Sequence, residues 1–467
     1  MGGIFYFYPM NITKHIETVF NKYLPSPFAI AILLTLTTIV LAYFFTAPPA
    51  EGLHVVEILS FWEKGIWNNA LLVFAYQMML ILVLGHILVL SPPMSRLIAK
   101  LTNLVNSTSS AVVLVSATTL MVSFFNWGLG LIFGAIMARK VGEAAQKRGF
   151  KINYPLVGAS GYVGFMGWHG GMSGSAPLKV GESGHLKSLM AGVGDASLVQ
   201  QLPDAIGFDQ TVFSATNLVL FAVLLLLVPL ALYLLGKRGA ETSVQLPTYH
   251  NSYQTDDAAD DVGKIDRSKI VGVGFGLVIL VAFLFQYVKN LGELRITPNM
   301  LNFFMLGLAL VLHGNFSNFL KAVQEAISGA SGILIQFPLY FGIMGIMRDS
   351  GMVVQISDFF VSIATETTLP IFTFFSAGLV NIFVPSGGGQ WAIQGPIVIE
   401  SALKLGVPLP KAIMALAYGD QITNMLQPFW ALPLLGITKL KAKQILPYTL
   451  LIMVLGMAIF LIGLLLF

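Results

Sequence analysis

The sequence predicts an all-α polytopic membrane protein, built as an inverted repeat with two re-entrant hairpins and two discontinuous helices. Three observations carry that prediction. The 467 residues are 56% apolar and 10% charged, whereas a soluble domain carries roughly a quarter charged residues. Apolar runs close to bilayer-spanning length recur from one end to the other. Four of those runs are interrupted by Gly, Pro and polar residues where the chain should lie at membrane depth. Broken backbone is tolerated there only if protein buries it or it lines a wet cavity.

In chain order, residues 11–24 alternate Ile12, Ile16, Val19 and Phe20 with Lys14, Glu17 and Lys22. That is the pattern of an amphipathic helix on the membrane surface. No cleavable signal is expected ahead of it. Spans of about Phe28–Phe45 and Trp67–Leu90 follow, separated by an acidic loop. Ala47-Pro48-Pro49 and Ser91-Pro92-Pro93 end them, and Arg96 and Lys100 mark a short basic segment. Residues 110–138 are apolar but interrupted at Asn126–Gly130. Residues 154–192 are too rich in Gly for one good helix and too apolar for a loop. Val212–Leu235 reads as an unbroken span, and 237–269, with Asp256, Asp257, Asp260 and Asp261, as a flexible polar linker. Spans of about Ile270–Val288, Met300–Leu312 and Ile327–Met347 come next, then an interfacial stretch at 352–364. Residues 366–404 break at Pro385–Gln390, and 409–436 break at Asp420–Asn424 and Pro428. A last span covers about Ile445–Phe467.

Counting cations orients this order. With the amino terminus inside, and with 110–138 and 366–404 as hairpins that return to their own side, 18 of the 26 Lys and Arg fall in inner segments. Cytoplasmic enrichment of Lys and Arg is the expected bias. The order "span, span, broken hairpin, broken span, span" then occurs twice, at 28–235 and 300–467, and the second copy starts from the opposite side. Tyr162 precedes Pro177-Leu178 by the same interval as Tyr418 precedes Pro433-Leu434. Inverted repeats with paired discontinuous helices place a substrate site between the breaks.

The breaks carry the chemistry. Val384-Pro385-Ser386-Gly387-Gly388-Gly389-Gln390-Trp391 is predicted to be non-helical, since Pro removes a donor and consecutive Gly oppose helical order. Its free amides suit a carboxylate. Ser386, Gly387, Gly388, Gly389 and Gln390 are therefore candidate substrate contacts, with Asn126 and Trp127 as the matching tip. His169, Ser173 and Ser175 come from the first broken span, and Asn424 and Gln427 from the second. Capping of broken helices would equally account for the Ser, Thr and Asn residues. Asp420 is the best placed buried ionisable group; with Thr423 and Asn424 it is the candidate coupling site for Na⁺ or H⁺, or else a structural partner of His169. No Arg falls in any break, so a bidentate dicarboxylate clamp is not apparent. Trp127, Trp168, Trp391 and Trp430 stand there instead. This set suits a small amphiphile with one carboxylate. The chain has no Cys, which excludes disulfides and thiol chemistry. No cofactor, metal site or nucleic-acid partner is implied; the expected partners are a small carboxylate and membrane lipid.

The stretches Val384–Trp391, Gly419-Asp420-Gln421-Ile422-Thr423-Asn424-Met425-Leu426-Gln427-Pro428-Phe429-Trp430 and Trp168-His169-Gly170-Gly171-Met172-Ser173-Gly174-Ser175-Ala176-Pro177 resemble the bacterial short-chain fatty acid transporter family, within the ion-transporter superfamily. The resemblance runs over almost the whole chain. It implies an elevator-type carrier of acids such as butyrate or acetoacetate, a homodimer in the inner membrane with its amino terminus cytoplasmic. The implied organisation is 1–109 amphipathic helix and scaffold spans, 110–192 transport domain, 193–365 scaffold spans with the linker, 366–436 transport domain, and 437–467 a carboxyl-terminal span. An anion channel, a carrier of another small carboxylate or amino-acid-like anion, and a membrane-embedded enzyme are the competing readings. The enzyme would need a convergent acid–base or metal set, and the breaks offer Asp420 and His169 alone.

Overall fold

A computed structural model describes residues 25–190, 199–239, 241–246, 263–292, 297–327 and 331–467. The predicted amphipathic helix at 11–24 and the acidic centre of the linker lie outside the described residues.

The first half runs α1 (Pro27–Phe45), α2 (His54–Ile66), α3 (Asn69–Leu90), α4 (Pro92–Thr102), α5 (Thr108–Phe125), α6 (Trp127–Arg148), α7 (Tyr154–Ser160), a 3₁₀ turn (Val163–Met166), α8 (Ser175–Val180), α9 (His185–Leu189) and α10 (Ala215–Arg238). The second runs α11 (Lys269–Gly292), α12 (Pro298–His313), α13 (Phe316–Ile327), α14 (Ser331–Asp349), α15 (Met352–Ser362), α16 (Leu369–Phe383), α17 (Gly387–Leu405), α18 (Leu409–Thr423), a 3₁₀ turn (Asn424–Leu426), α19 (Pro428–Thr438) and α20 (Ala442–Leu466). Among the described residues, six helices are long and apolar enough to cross a membrane, from α1, α3, α5, α10, α11 and α20. This is a multi-pass membrane protein.

Local chemistry sets the boundaries. Proline opens α1, α7, α12, α16 and α19 within the first two positions, where its missing N–H costs nothing. Ser26, Asn68, Asn153, Ser214 and Thr297 cap their helices through side-chain oxygens. The expected acidic loop before α3 is instead α2. Its Ile58 and Gly65 are buried against α14, and a side chain at Gly65 would run into the Phe341 carbonyl. Small residues there let the two backbones approach closely.

Both predicted hairpins are present as antiparallel helix pairs, but their breaks are shorter than expected. In the first, α5 and α6 are separated by Asn126 alone. Gly130 lies against Ser123 and Gly134 against Thr119, so the pairing recedes from the turn in opposite directions along the two helices. In the second, Gly387–Gly389 are not irregular backbone: they form the first turn of α17, with Ser386 as its cap. Glycine is costly inside a helix, but the first-turn amides have no intrahelical acceptor in any case, and Ser386 supplies one. Only Val384–Ser386 leaves the helical path.

The packing pairs each hairpin with both broken spans. The first helix of each hairpin lies on the incoming half of the broken span that follows it in the chain, α5 on α7 and α16 on α18. The second helix lies on the outgoing half of the other broken span, α6 on α19 and α17 on α8. A separate core of Ala176, Leu186, Trp391, Ile399, Ala402 and Leu416 joins α8, α9, α17 and α18.

Candidate functional site

The four breaks meet. At the first hairpin tip the Trp127 N–H donates to Ser173 Oγ at 2.9 Å, and the Met172 N–H donates to the Phe124 carbonyl at 2.7 Å. The second tip is tied to the second broken span through Asn381. Its two Nδ2 hydrogens are shared among the Asp420 carbonyl at 2.6 Å, Asn424 Oδ1 at 2.7 Å and Thr423 Oγ1 at 2.9 Å, and Gln427 Nε2 donates to the Asn381 carbonyl. A Cβ built on Gly387 would stand 2.7 Å from Trp168, 2.9 Å from the His169 ring and 3.2 Å from Asp420 Oδ2. The second tip therefore rests directly on residues of both broken spans. Rings close the first side, with Trp127 5.1 Å from Trp430 and 6.0 Å from Trp168 between centroids.

The two tips share one device. Asn126 Oδ1 accepts from the Leu129 N–H at 2.9 Å, and Ser386 Oγ accepts from the Gly389 N–H at 3.2 Å. Each cap serves the third amide of its helix and leaves the earlier amides without an intrahelical partner. At the second tip these are the amides of Gly387 and Gly388, and Gly388 is exposed. They carry the positive end of the helix dipole.

His169 and Asp420 are a buried pair, with Nδ1 against Oδ2. The Ala176 N–H donates to His169 Nε2 at 3.1 Å. Nε2 is thus an acceptor, which puts the imidazole proton on Nδ1 facing the carboxylate. Asp420 Oδ1 is buried and has no hydrogen-bond partner among the described residues. A buried carboxylate oxygen left unpaired costs free energy unless a proton or cation attends it. Asn381 Oδ1 and Gln427 Oε1 are unpaired nearby in the same way.

Not every predicted residue faces this centre. Gln390 is fully buried inside the second hairpin, where its Nε2 donates to the Ala377 carbonyl at 2.8 Å and to Gln394 Oε1 at 2.7 Å. Trp391 turns the other way and donates to His185 at 3.0 Å. Ser175 is half-buried opposite Gly388. Residues that the sequence reading passed over hold the breaks in place. Gln421 Oε1 accepts from the amides of His169 at 2.8 Å and Gly170 at 3.2 Å. Asn217 donates to the Gly170 carbonyl at 2.8 Å and accepts from Tyr418 at 2.9 Å. Asn217 and Asn381 are lone amides in apolar runs, a signal that was available.

The second tip also borders a cavity of about 260 Å³, lined by Leu71, Met344 and Arg348 on one side and by Val384, Gly389 and Ile393 on the other. The corresponding space at the first tip, beside Trp127 and Trp430, is only about 10 Å³.

Comparison with known proteins decides the family. A family model described as short chain fatty acid transporter matches residues 10–467. The chain belongs to that family. A protein of Escherichia coli (strain K12), provisionally named a short-chain fatty acid transporter, is 34% identical over 461 residues, covering 98% of this chain and 99% of that one. A Haemophilus influenzae protein of the same provisional name is also 34% identical over 461 residues, covering 97% and 98%. A solved structure, the Alcanivorax borkumensis YdaH transporter, aligns over 94% of this chain and 98% of its own, at 16% identity and a TM-score of 0.45, too slight a likeness to argue from. The family is one of transporters, and the enzymatic reading gives way to it.

Proposed function

We propose that the protein is a cation-coupled secondary transporter of short-chain monocarboxylates such as butyrate or acetoacetate, working by elevator-type alternating access. The observation that carries this reading is the contact of the second hairpin tip with the buried His169–Asp420 pair. It brings two helix-start amides, suited to one carboxylate, against one group suited to a coupling ion. With no Arg at the breaks, a single carboxylate is the fitting guest.

On this reading the substrate carboxylate takes the amides of Gly387 and Gly388, with Ser175 opposite. Trp127 and Trp168 stand beside the tips, with ring centroids 6.0 Å apart. Ser386, Gly389 and Asn126 shape the tips, and Ser173 anchors the first tip to the first broken span. Asp420 carries the coupling proton on its free Oδ1, which leaves the Ala176–His169 bond intact. Sodium is the second reading, favoured by the unpaired oxygens of Asn381 and Gln427 beside Thr423 and Asn424. The moving unit is 110–192 with 366–436, and α10 and α20 are tied to it. The remaining spans form the scaffold and the contact of a homodimer, in the inner membrane with a cytoplasmic amino terminus.

Uptake of labelled butyrate into liposomes holding the purified chain tests this. Accumulation driven by an imposed proton gradient supports the Asp420 route, and accumulation driven by sodium supports the second. Rapid equilibration without accumulation under either gradient would mean a channel.

A further inference from the structure

Among the described residues, the cavity beside the second tip is lined by one ionisable side chain, and it comes from outside the proposed moving unit: Arg348, at the end of α14. We propose that this cavity is an access subsite for a short-chain monocarboxylate and that Arg348 is the cation that receives its carboxylate. The inference rests on the transport function above and adds a second station to it.

The guanidinium geometry is the first argument. Arg348 Nε donates to Asp349 Oδ1 at 2.6 Å and Nη2 donates to Asp349 Oδ2 at 3.0 Å. Asp349 thereby occupies one edge of the planar fork and holds it still. The edge formed by Nη1 and the second Nη2 hydrogen has no acceptor among the described residues. Two parallel N–H groups on that edge match a carboxylate. The Arg348 side chain is 46% exposed, so an incoming acid can reach it.

The walls are the second argument. Leu71, Met344, Val384 and Ile393 are apolar and suit a short acyl tail. Asp349 already balances the Arg348 charge, so a second carboxylate on the guest would meet an apolar wall and an anion. The attraction to a single carboxylate stays weak enough for release, as a station on a path requires. Gly389 lies in the cavity wall, in the same helical turn as Gly387, whose far side rests on His169 and Asp420. The subsite and the central site therefore share the second tip. The tight space at the first tip offers no such room.

A positive side chain at a helix carboxyl end also stabilises that helix, and the test separates the two roles. Full-length wild type, Arg348→Gln, Arg348→Lys and Met344→Phe are reconstituted, and uptake of acetate, butyrate and hexanoate is measured. The subsite predicts that Arg348→Gln raises the half-saturation concentration for butyrate about ten-fold, the loss of one charge-assisted pair, with maximal rate little changed. Arg348→Lys, which keeps the charge but not the fork, should fall between. Met344→Phe fills the cavity and should depress hexanoate uptake relative to acetate, and it carries the test if Arg348→Gln does not fold. Wild-type uptake of butyrate together with unchanged half-saturation in both Arg348 variants, or an unchanged chain-length profile in Met344→Phe, overturns the subsite and leaves the transport function standing. Absence of uptake of any of the three acids by folded wild type overturns both.

Discussion

Replacing Gly387 by Ala sets two effects of known sign against each other. Alanine is the better helix former by about 1 kcal/mol in a helix interior, and less at a first turn. Against that, the new methyl would stand 2.7 Å from Trp168 and 2.9 Å from the His169 ring. Both neighbours are buried, and His169 is held by Asp420 and by the Ala176 amide, so neither can give way cheaply. Overpacking of that kind costs about 1–3 kcal/mol. The clash should win, by up to about 2 kcal/mol, and the second tip should lift from the pair. Gly388→Ala is the internal control, because its Cβ would meet nothing nearer than Ser175 Oγ at 3.8 Å. Its stability should hold or rise by a few tenths of a kcal/mol, since the unfolded chain loses freedom. Thermal unfolding of the purified variants reads the stability difference, and butyrate uptake reads the effect on the site. Equal melting temperatures for the two variants would show that the tip does not bear on Trp168 and His169.

Asp420→Asn keeps the shape of the side chain and removes its charge; gradient-driven accumulation of butyrate should vanish while exchange of labelled for unlabelled butyrate persists, and full accumulation by the variant would remove Asp420 from the mechanism. Tyr162→Phe removes the hydroxyl that donates to the buried Gln427 carbonyl and to the Asn424 carbonyl, which keeps the Gln427 N–H, and Tyr418→Phe removes the hydroxyl that donates to Asn217. Each should destabilise by about 1–3 kcal/mol in thermal or denaturant unfolding, and two neutral variants would mean that the breaks are held by packing alone.

Spans, hairpins and broken spans were legible because apolar length and interruption follow directly from the bilayer. The extent of each interruption was not. Gly128 and Gly130 look like breakers, yet both lie within α6, where the missing side chain at 130 admits Ser123. Gly387–Gly389 are likewise helical, because a helix start differs from a helix interior in its hydrogen-bonding needs. The central pair was legible in part: Asp420 stands out as an acid in an apolar run, with His169 as its expected structural partner, although the echo of Tyr162 in Tyr418 matches His169 with Met425 instead. Arg348 was not, because a charge at the end of an apolar span looks like any boundary residue. Its placement beside Gly389 depends on α14 meeting a hairpin some forty residues further along the chain.

Several hydrogen bonds at the centre cross between the two halves of the sequence. Tyr162, in the first half, donates to the carbonyls of Asn424 at 2.9 Å and Gln427 at 3.1 Å in the second. Tyr418, in the second, donates to Asn217, which holds the carbonyl of Gly170 in the first. Gln421 takes two amides from the first broken span. Such crossed ties resist separating the halves, since each broken tie strands a buried carbonyl or amide. Towards α3 and α14 the contacts are rings on rings instead: Phe337 stacks on Phe429 at 4.0 Å, Tyr340 meets Phe429 at 4.9 Å, and Phe74 meets Trp127 and Trp430 at 6.1 Å. Apolar contacts are non-directional, so sliding along them strands no polar group. On the reading proposed above, a displacement of the hairpins and broken spans as one body past α3 and α14 would keep these ties, whereas parting the two halves of the sequence would break them. The substrate site would then travel whole while Arg348 stays behind on the scaffold.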